Sequence, residues 1–112
     1  MDNVKNDAYY LNKMLKNIKF LIDKTFNITL QELETNEVLC DSALFRLIQI
    51  SEDSAKISND FKLCHKEIPW QAIKGMRNRI VHEYGEVDLH IVHQTITRDI
   101  PDLCSLIEAL LF

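Results

Sequence analysis

Pro69-Trp70-Gln71-Ala72-Ile73-Lys74-Gly75-Met76-Arg77-Asn78-Arg79-Ile80-Val81-His82-Glu83-Tyr84 reads as one amphipathic helix. Proline is tolerated in a first turn, and Trp70, Ile73, Met76, Ile80, Val81 and Tyr84 follow at helical spacings. Gly85 is placed as the residue that ends the helix. Gly75 in mid-helix costs roughly 1 kcal/mol relative to alanine, which points to a close approach of another backbone or else to mere tolerance of the glycine. At 100° per residue Arg77 and Tyr84 point almost the same way, and Asn78 lies one turn below His82. Arg77 and His82 are about 140° apart around the axis and about 7.5 Å apart along it. One helix therefore cannot close both around one phosphate. A second copy of the helix could, which points to a symmetric homodimer with a shared cleft.

The flanking sequence extends the helical pattern. From Val4 to about Lys24, Tyr10, Leu11, Met14, Leu15, Ile18, Leu21 and Ile22 recur at intervals of three and four, with Lys13, Lys16 and Lys19 off that stripe. Thr25-Phe26-Asn27-Ile28 interrupts the pattern, and Thr29 with Glu32 forms a capping box for a short helix through about Glu34. Asn36 caps a long helix reaching about Ser58. Its apolar stripe is wide, as if buried on more than one side. Ser58-Asn59-Asp60 breaks the pattern, and a loop runs on to Ile68. Asp88 caps a helix through Leu89, Ile91, Val92 and Ile96, and Pro101 either kinks that helix or starts the last one. The expected fold is all-α, an up-and-down bundle of four to five helices in a single domain spanning 1–112, homodimeric through the 69–84 helix.

Composition agrees with helices: 46% of the 112 residues are hydrophobic, and only two are glycine and two proline. The three cysteines (Cys40, Cys64, Cys104) are far apart and read as free thiols in a reducing cytosol. With no apolar signal core and no run long enough to span a bilayer, the chain is placed in the cytoplasm, away from membranes. The net charge of −4 by itself argues against a nucleic-acid partner, but residues 62–79 carry +4 and the remainder −8. The basic segment leads directly into Arg77-Asn78-Arg79.

His90 and His93 stand three apart, but no acidic or thiol ligand stands at matching spacing, so no metal site is assigned. His65 beside Cys64 is a weaker pair still. No serine or cysteine has a recognisable base and carboxylate, and there is no glycine-rich phosphate loop. No cofactor is expected. What remains is Arg77 and His82, with Asn78 in support. Cleavage of RNA by its own 2′-hydroxyl needs a base, an acid and a cation for the developing charge, without a metal. Arg77 and His82 supply these roles if two copies meet. On spacing alone, exposed polar positions on a helix account for them as well.

The segment from Ile68 to Tyr84, with Arg77, four intervening residues, His82, one residue and Tyr84, resembles the signature of HEPN-domain proteins, specifically the HepT toxins of the DUF86 type. The likeness extends downstream to Ile91-Val92-His93-Gln94-Thr95-Ile96 and Asp99-Ile100-Pro101, and upstream to the helix holding Asp41. The resemblance implies a helical homodimer acting as a metal-independent ribonuclease toxin on an RNA substrate, with Arg77 and His82 catalytic. It also implies a minimal nucleotidyltransferase of the MNT type as antitoxin, which transfers AMP to Tyr84. If Tyr84 shares a face with Arg77, an anion placed on it sits beside Arg77 and competes with an RNA phosphate. The residue-by-residue reading of Tyr84 is a buried ring with a bonded hydroxyl. Lys74 and Arg79 are candidates for RNA backbone contacts, or solvated helix charges. Asn78 is expected to orient His82 or to bond across the dimer axis. The alternative reading is a non-catalytic module that docks a minimal nucleotidyltransferase.

Overall fold

A computed structural model describes residues 5–111, and among them there is no strand. The helices are α1 (Asp7–Lys24), α2 (Leu30–Thr35), α3 (Glu37–Ala55), α4 (Asn59–Cys64), α5 (Trp70–His82), α6 (Leu89–Gln94) and α7 (Ile100–Leu111). A 3₁₀ turn, Tyr84–Glu86, and a π-helical stretch, Thr95–Asp99, join the last three. The four longer helices α1, α3, α5 and α7 carry the bundle, with α3 packed on both α1 and α5 and α7 on α1.

Most boundaries follow from side chains that satisfy amides at the helix starts. Asn6 Oδ1 accepts from the Tyr9 amide at 3.0 Å and opens α1. Val4, where the sequence places that start, lies outside the described residues. The Thr29–Glu32 capping box is present in both directions, and Asn36 Oδ1 caps α3 through the Leu39 amide. Between α1 and α2, Asn27 adopts φ 56°, a left-handed conformation that asparagine tolerates better than most residues.

Met14, Ile18, Leu21, Leu44, Leu47, Ile50, Ile80, Ile96 and Ile107 are fully buried and form one core shared by α1, α3, α5, the π stretch and α7. Each such side chain stabilises the fold by roughly 1.5–3 kcal/mol. Ser51 ties α3 to α5 inside that core, its Oγ lying 3.1 Å from the Leu47 carbonyl and 3.0 Å from that of Ile73. A small residue here lets α5 lie close to α3. Buried Asn17 accepts a 2.8 Å hydrogen bond from Arg46, whose guanidinium stacks 3.8 Å from the centre of the Phe20 ring.

Four expectations are corrected. The 58–68 segment is not simply a loop: Ser58 Oγ accepts from the Phe61 amide and starts α4, and Asp7 in turn fixes Ser58. The motif helix ends at His82, because Glu83 leaves the helical region (φ −126°, ψ 28°), so Tyr84 stands in a separate turn. Gly85 lies inside that turn without a positive φ and does not terminate the helix. A β-carbon at Gly75 would meet nothing within 4 Å, so no backbone of this chain crowds it.

Of the two roles expected of Pro101, the structure shows the second, at the start of the last helix. The proline occupies the first turn of α7, where a missing amide hydrogen costs little. The π stretch before it widens the helix, the Ile100 amide reaching back to the Thr95 carbonyl.

Candidate active site

Arg77 and His82 both lie on α5, and only Arg77 is held by a neighbouring helix. Arg77 Nε donates to Glu52 Oε1 on α3 at 3.0 Å, and Nη1 donates to Asn78 Oδ1 at 3.3 Å. A guanidinium offers five N–H donors, so these two bonds orient the plane and leave donors for an anion. Both partners of the ion pair are roughly 40% exposed, so their mutual attraction is screened. Its value is orientation more than stability.

His82 is the last residue of α5 and is exposed. Asn78, expected to steady it from one turn below, gives its oxygen to Arg77 instead. The rise and rotation of α5 keep the two catalytic candidates on different sides of one helix, as the spacing predicts.

Tyr84 is placed differently from the expectation. Its hydroxyl donates to Asp41 Oδ1 at 3.0 Å, and the residue is 49% exposed, so it is not a buried ring. The hydrogen bond to Asp41 holds the phenol's pKa above its ordinary value, with desolvation and then the charges of Asp41 and Cys40 adding to it. Asp41 and Glu52 are eleven residues apart on α3, which is about 16 Å of axis at nearly the same angular position. Within one chain, therefore, the Tyr84 hydroxyl sits about three helical turns of α3 away from the anchor of Arg77, and an anion on Tyr84 would not lie beside that chain's own Arg77.

Between those two polar anchors α3 presents Phe45, 56% exposed, and α5 presents Val81, 41% exposed. Asp41, Phe45, Ile48 and Glu52 follow the four-three-four spacing of one helix face. The burial of α3 on more than one side, expected from its wide stripe, is supplied by α1 and α5 of the same chain, and this face stays open.

Lys74 and Arg79 are exposed on α5 but lie on different sides of it. Arg79 borders a cleft of about 600 Å³ between α5, α6 and α7, lined by Ile73, Met76, Ile91 and Leu106 among others. Lys62 and Lys66 border a second depression beside Trp70, with the Lys62 ammonium 5.6 Å from the centre of the indole. The basic segment is thus spread over several faces.

Two of the three remaining histidines, His65 and His93, have structural partners. His93 Nε2 lies 2.8 Å from the Ile28 carbonyl and ties α6 to the turn before α2, while His90 is exposed. His65 stacks on Phe61 and stands 3.4 Å from Glu67. Among the described residues no group of three or more His, Cys, Asp or Glu side chains could hold a metal ion, and Cys40, Cys64 and Cys104 are free. No described helix is long and apolar enough to cross a membrane.

Glu52 and Asp41, the acidic partners of Arg77 and Tyr84, are residues of the candidate site that residue-by-residue reading did not single out. Their signal was present as two carboxylates on one face of α3, and only the docking of α5 gives it meaning.

Residues 14–110 match the family described as Ribonuclease HepT-like. The chain is 31% identical over 100 residues to a candidate RNase of Caldanaerobacter subterraneus, covering 89% of each chain. It is 38% identical over 85 residues to a candidate HepT ribonuclease of Thermococcus cleftensis, covering 71% of this chain and 77% of that one. A candidate RNase of Methanocaldococcus jannaschii is 26% identical over 99 residues, 88% of this chain and 91% of that one. No solved structure matches. The ribonuclease class expected from the motif is the class of the family found, and the chain belongs to the HepT-like ribonuclease family.

Proposed function

We propose that this protein is the ribonuclease toxin of a toxin–antitoxin pair, cutting RNA without a metal at a site built from Arg77 of one copy and His82 of another. The observation that carries this reading is the Arg77–Glu52 pair: a guanidinium fixed in orientation on an exposed helix face, five residues before an exposed histidine. His82 serves as proton acceptor or donor for the 2′-hydroxyl and the leaving oxygen, and Arg77 stabilises the charge that develops on the phosphorus. Exposed Phe45 and Val81 supply the apolar area that brings two copies together. Lys74 and Arg79 contact the RNA backbone, and Asn78 holds the guanidinium.

A nucleotidyltransferase antitoxin of the MNT type transfers AMP to Tyr84 and silences the toxin. The exposed phenol supports this part of the reading. In a dimer, the anion on one copy's Tyr84 acts on the shared cleft rather than on its own Arg77. The site of action is the cytoplasm.

Mixing two inactive variants tests the composite site. Arg77→Ala and His82→Ala should each lose RNA cleavage by about 100-fold or more in the presence of a chelator. Mixed dimers of the two retain one intact Arg77–His82 pair, so up to about a quarter of the sites recover. A mixture as inactive as its parts would sink the shared site, and full activity of either single variant would sink the assignment of that residue.

A further inference from the structure

A phenol is a weak nucleophile at neutral pH, because its ordinary pKa is about 10. Attack on phosphorus requires its proton to leave as the new bond forms. Tyr84 and Asp41 meet this need geometrically. Tyr84 is half exposed, and its hydroxyl proton is committed to Asp41 Oδ1 at 3.0 Å. Asp41 lies in the second turn of α3, a rigid element, and is itself exposed, so the pair can be approached by a second protein.

We propose that Asp41 is the proton acceptor for nucleotide transfer to Tyr84, a role that rests on the reading of Tyr84 as the AMP acceptor. Tyr84 Oη forms a bond to the α-phosphorus of a nucleoside triphosphate held by the nucleotidyltransferase. The bond from that phosphorus to the oxygen bridging to the β-phosphate breaks, and pyrophosphate leaves with the electron pair. The phenolic proton passes to Asp41 and then to water. Nothing is oxidised or reduced.

Two features of the pair fit this role. The carboxylate keeps the free phenol protonated, with its bond to Tyr84 the largest cause and the Cys40 charge the smallest, so ionisation ahead of the attack is disfavoured. Proton removal must then coincide with bond formation, and a base already bonded to that proton supplies it without reorganisation. Arg77 is engaged by Glu52, about three turns of α3 away, and does not lower the barrier to ionising the phenol of its own chain.

Asparagine at position 41 keeps an acceptor oxygen for the hydroxyl but cannot take its proton, so it separates the base from the anchor. The full-length protein is incubated with the purified nucleotidyltransferase and ATP–Mg²⁺, and the intact mass is followed between pH 6.5 and 9. The wild type should gain AMP-sized increments at a rate nearly flat in pH, and Tyr84→Phe should gain none. Asp41→Asn should be slower by about 100-fold at pH 7. Its rate relative to wild type should climb about tenfold per pH unit as solvent takes over the ionisation. Asp41→Glu should restore part of the rate. Asp41→Asn modified at the wild-type rate, or slow by the same factor at every pH, overturns the role of Asp41 while the acceptor reading stands. A wild type that gains no mass, or a Tyr84→Phe variant that gains as much, overturns the acceptor reading and this role with it.

Discussion

Glu52 Oε1 accepts a 3.0 Å hydrogen bond from Arg77 Nε across the α3–α5 seam, 25 positions along the chain. The bond selects one orientation of a side chain that would otherwise sample many rotamers. Glu52→Ala should therefore lower RNA cleavage by about tenfold to 100-fold, with Glu52→Gln less affected because it keeps an acceptor. The pair is partly exposed, so stability should change by less than about 1 kcal/mol in either variant. Steady-state cleavage of a labelled RNA beside a thermal melt checks both halves; wild-type cleavage by Glu52→Ala would refute the orienting role.

The Tyr84–Asp41 bond makes stability depend on pH at the alkaline end. Asp41 raises the folded-state pKa of the phenol above its unfolded value, so this contribution is present in full below about pH 10 and is lost as pH rises through the folded value. Asp41→Asn removes the carboxylate that raises that pKa. Its denaturation midpoint should fall less steeply than wild type's above pH 10, with the two curves parallel between pH 7 and 9.

Asp7 sets the corresponding dependence in acid. Its carboxylate accepts the Ser58 hydroxyl at 2.7 Å and the Ser58 amide at 2.8 Å, clasping the start of α1 to the start of α4. These bonds, the hydroxyl first, pull its pKa down. A lowered folded-state value means stability that is present above about pH 4 and lost as pH falls through the folded value. Asp7→Asn should flatten the acid limb of a denaturant-midpoint profile. An unchanged acid limb would mean that the clasp is not formed in solution.

Leu47 and Phe45 are two residues apart on α3 and should answer oppositely to truncation. Leu47 is fully buried and Phe45 is 56% exposed. Leu47→Ala leaves a cavity and should cost about 2–5 kcal/mol in chemical denaturation. Phe45→Ala should cost far less in the folding of one chain, yet shift sedimentation from dimer toward monomer. A monomeric wild type, or a Phe45→Ala dimer of undiminished affinity, would remove Phe45 from the association surface.

Lys13 Nζ lies 3.3 Å from Asp53 Oδ1, and Asp53 is almost wholly buried with Oδ2 lacking a partner among the described residues. Removing the ammonium leaves a buried carboxylate without its counter-charge, so Lys13→Ala should destabilise by about 1–3 kcal/mol. The double variant with Asp53→Asn should recover much of that. Additive losses in the two single variants would show that the two groups do not interact.

The helical fold was legible because its signals are local. Periods of three and four in Leu11–Leu21 fix which face of α1 is buried, and the oxygens of Thr29, Asn36 and Asp88 each bond an amide two or three residues on. Helix α4 is not legible in the sequence because none of its six residues is fully buried and no stripe is left to read. The Ser58 cap was its only mark.

At the site, sequence alone determined that Arg77, Asn78 and His82 share one helix, that Arg77 and His82 diverge around it, and that Tyr84 follows within a turn's length. Tertiary structure decided where that helix stops and what its side chains meet. Glu83 leaves the helical conformation and the Tyr84 hydroxyl bonds Asp41, 43 positions earlier, so Tyr84 lies away from Arg77 rather than on its face. The rise per residue is a property of the backbone and can be counted along a sequence. A carboxylate's choice between two cations or hydroxyls depends on which helices pack together, and the burial of Ser51, Ile73 and Ile80 between α3 and α5 makes that choice.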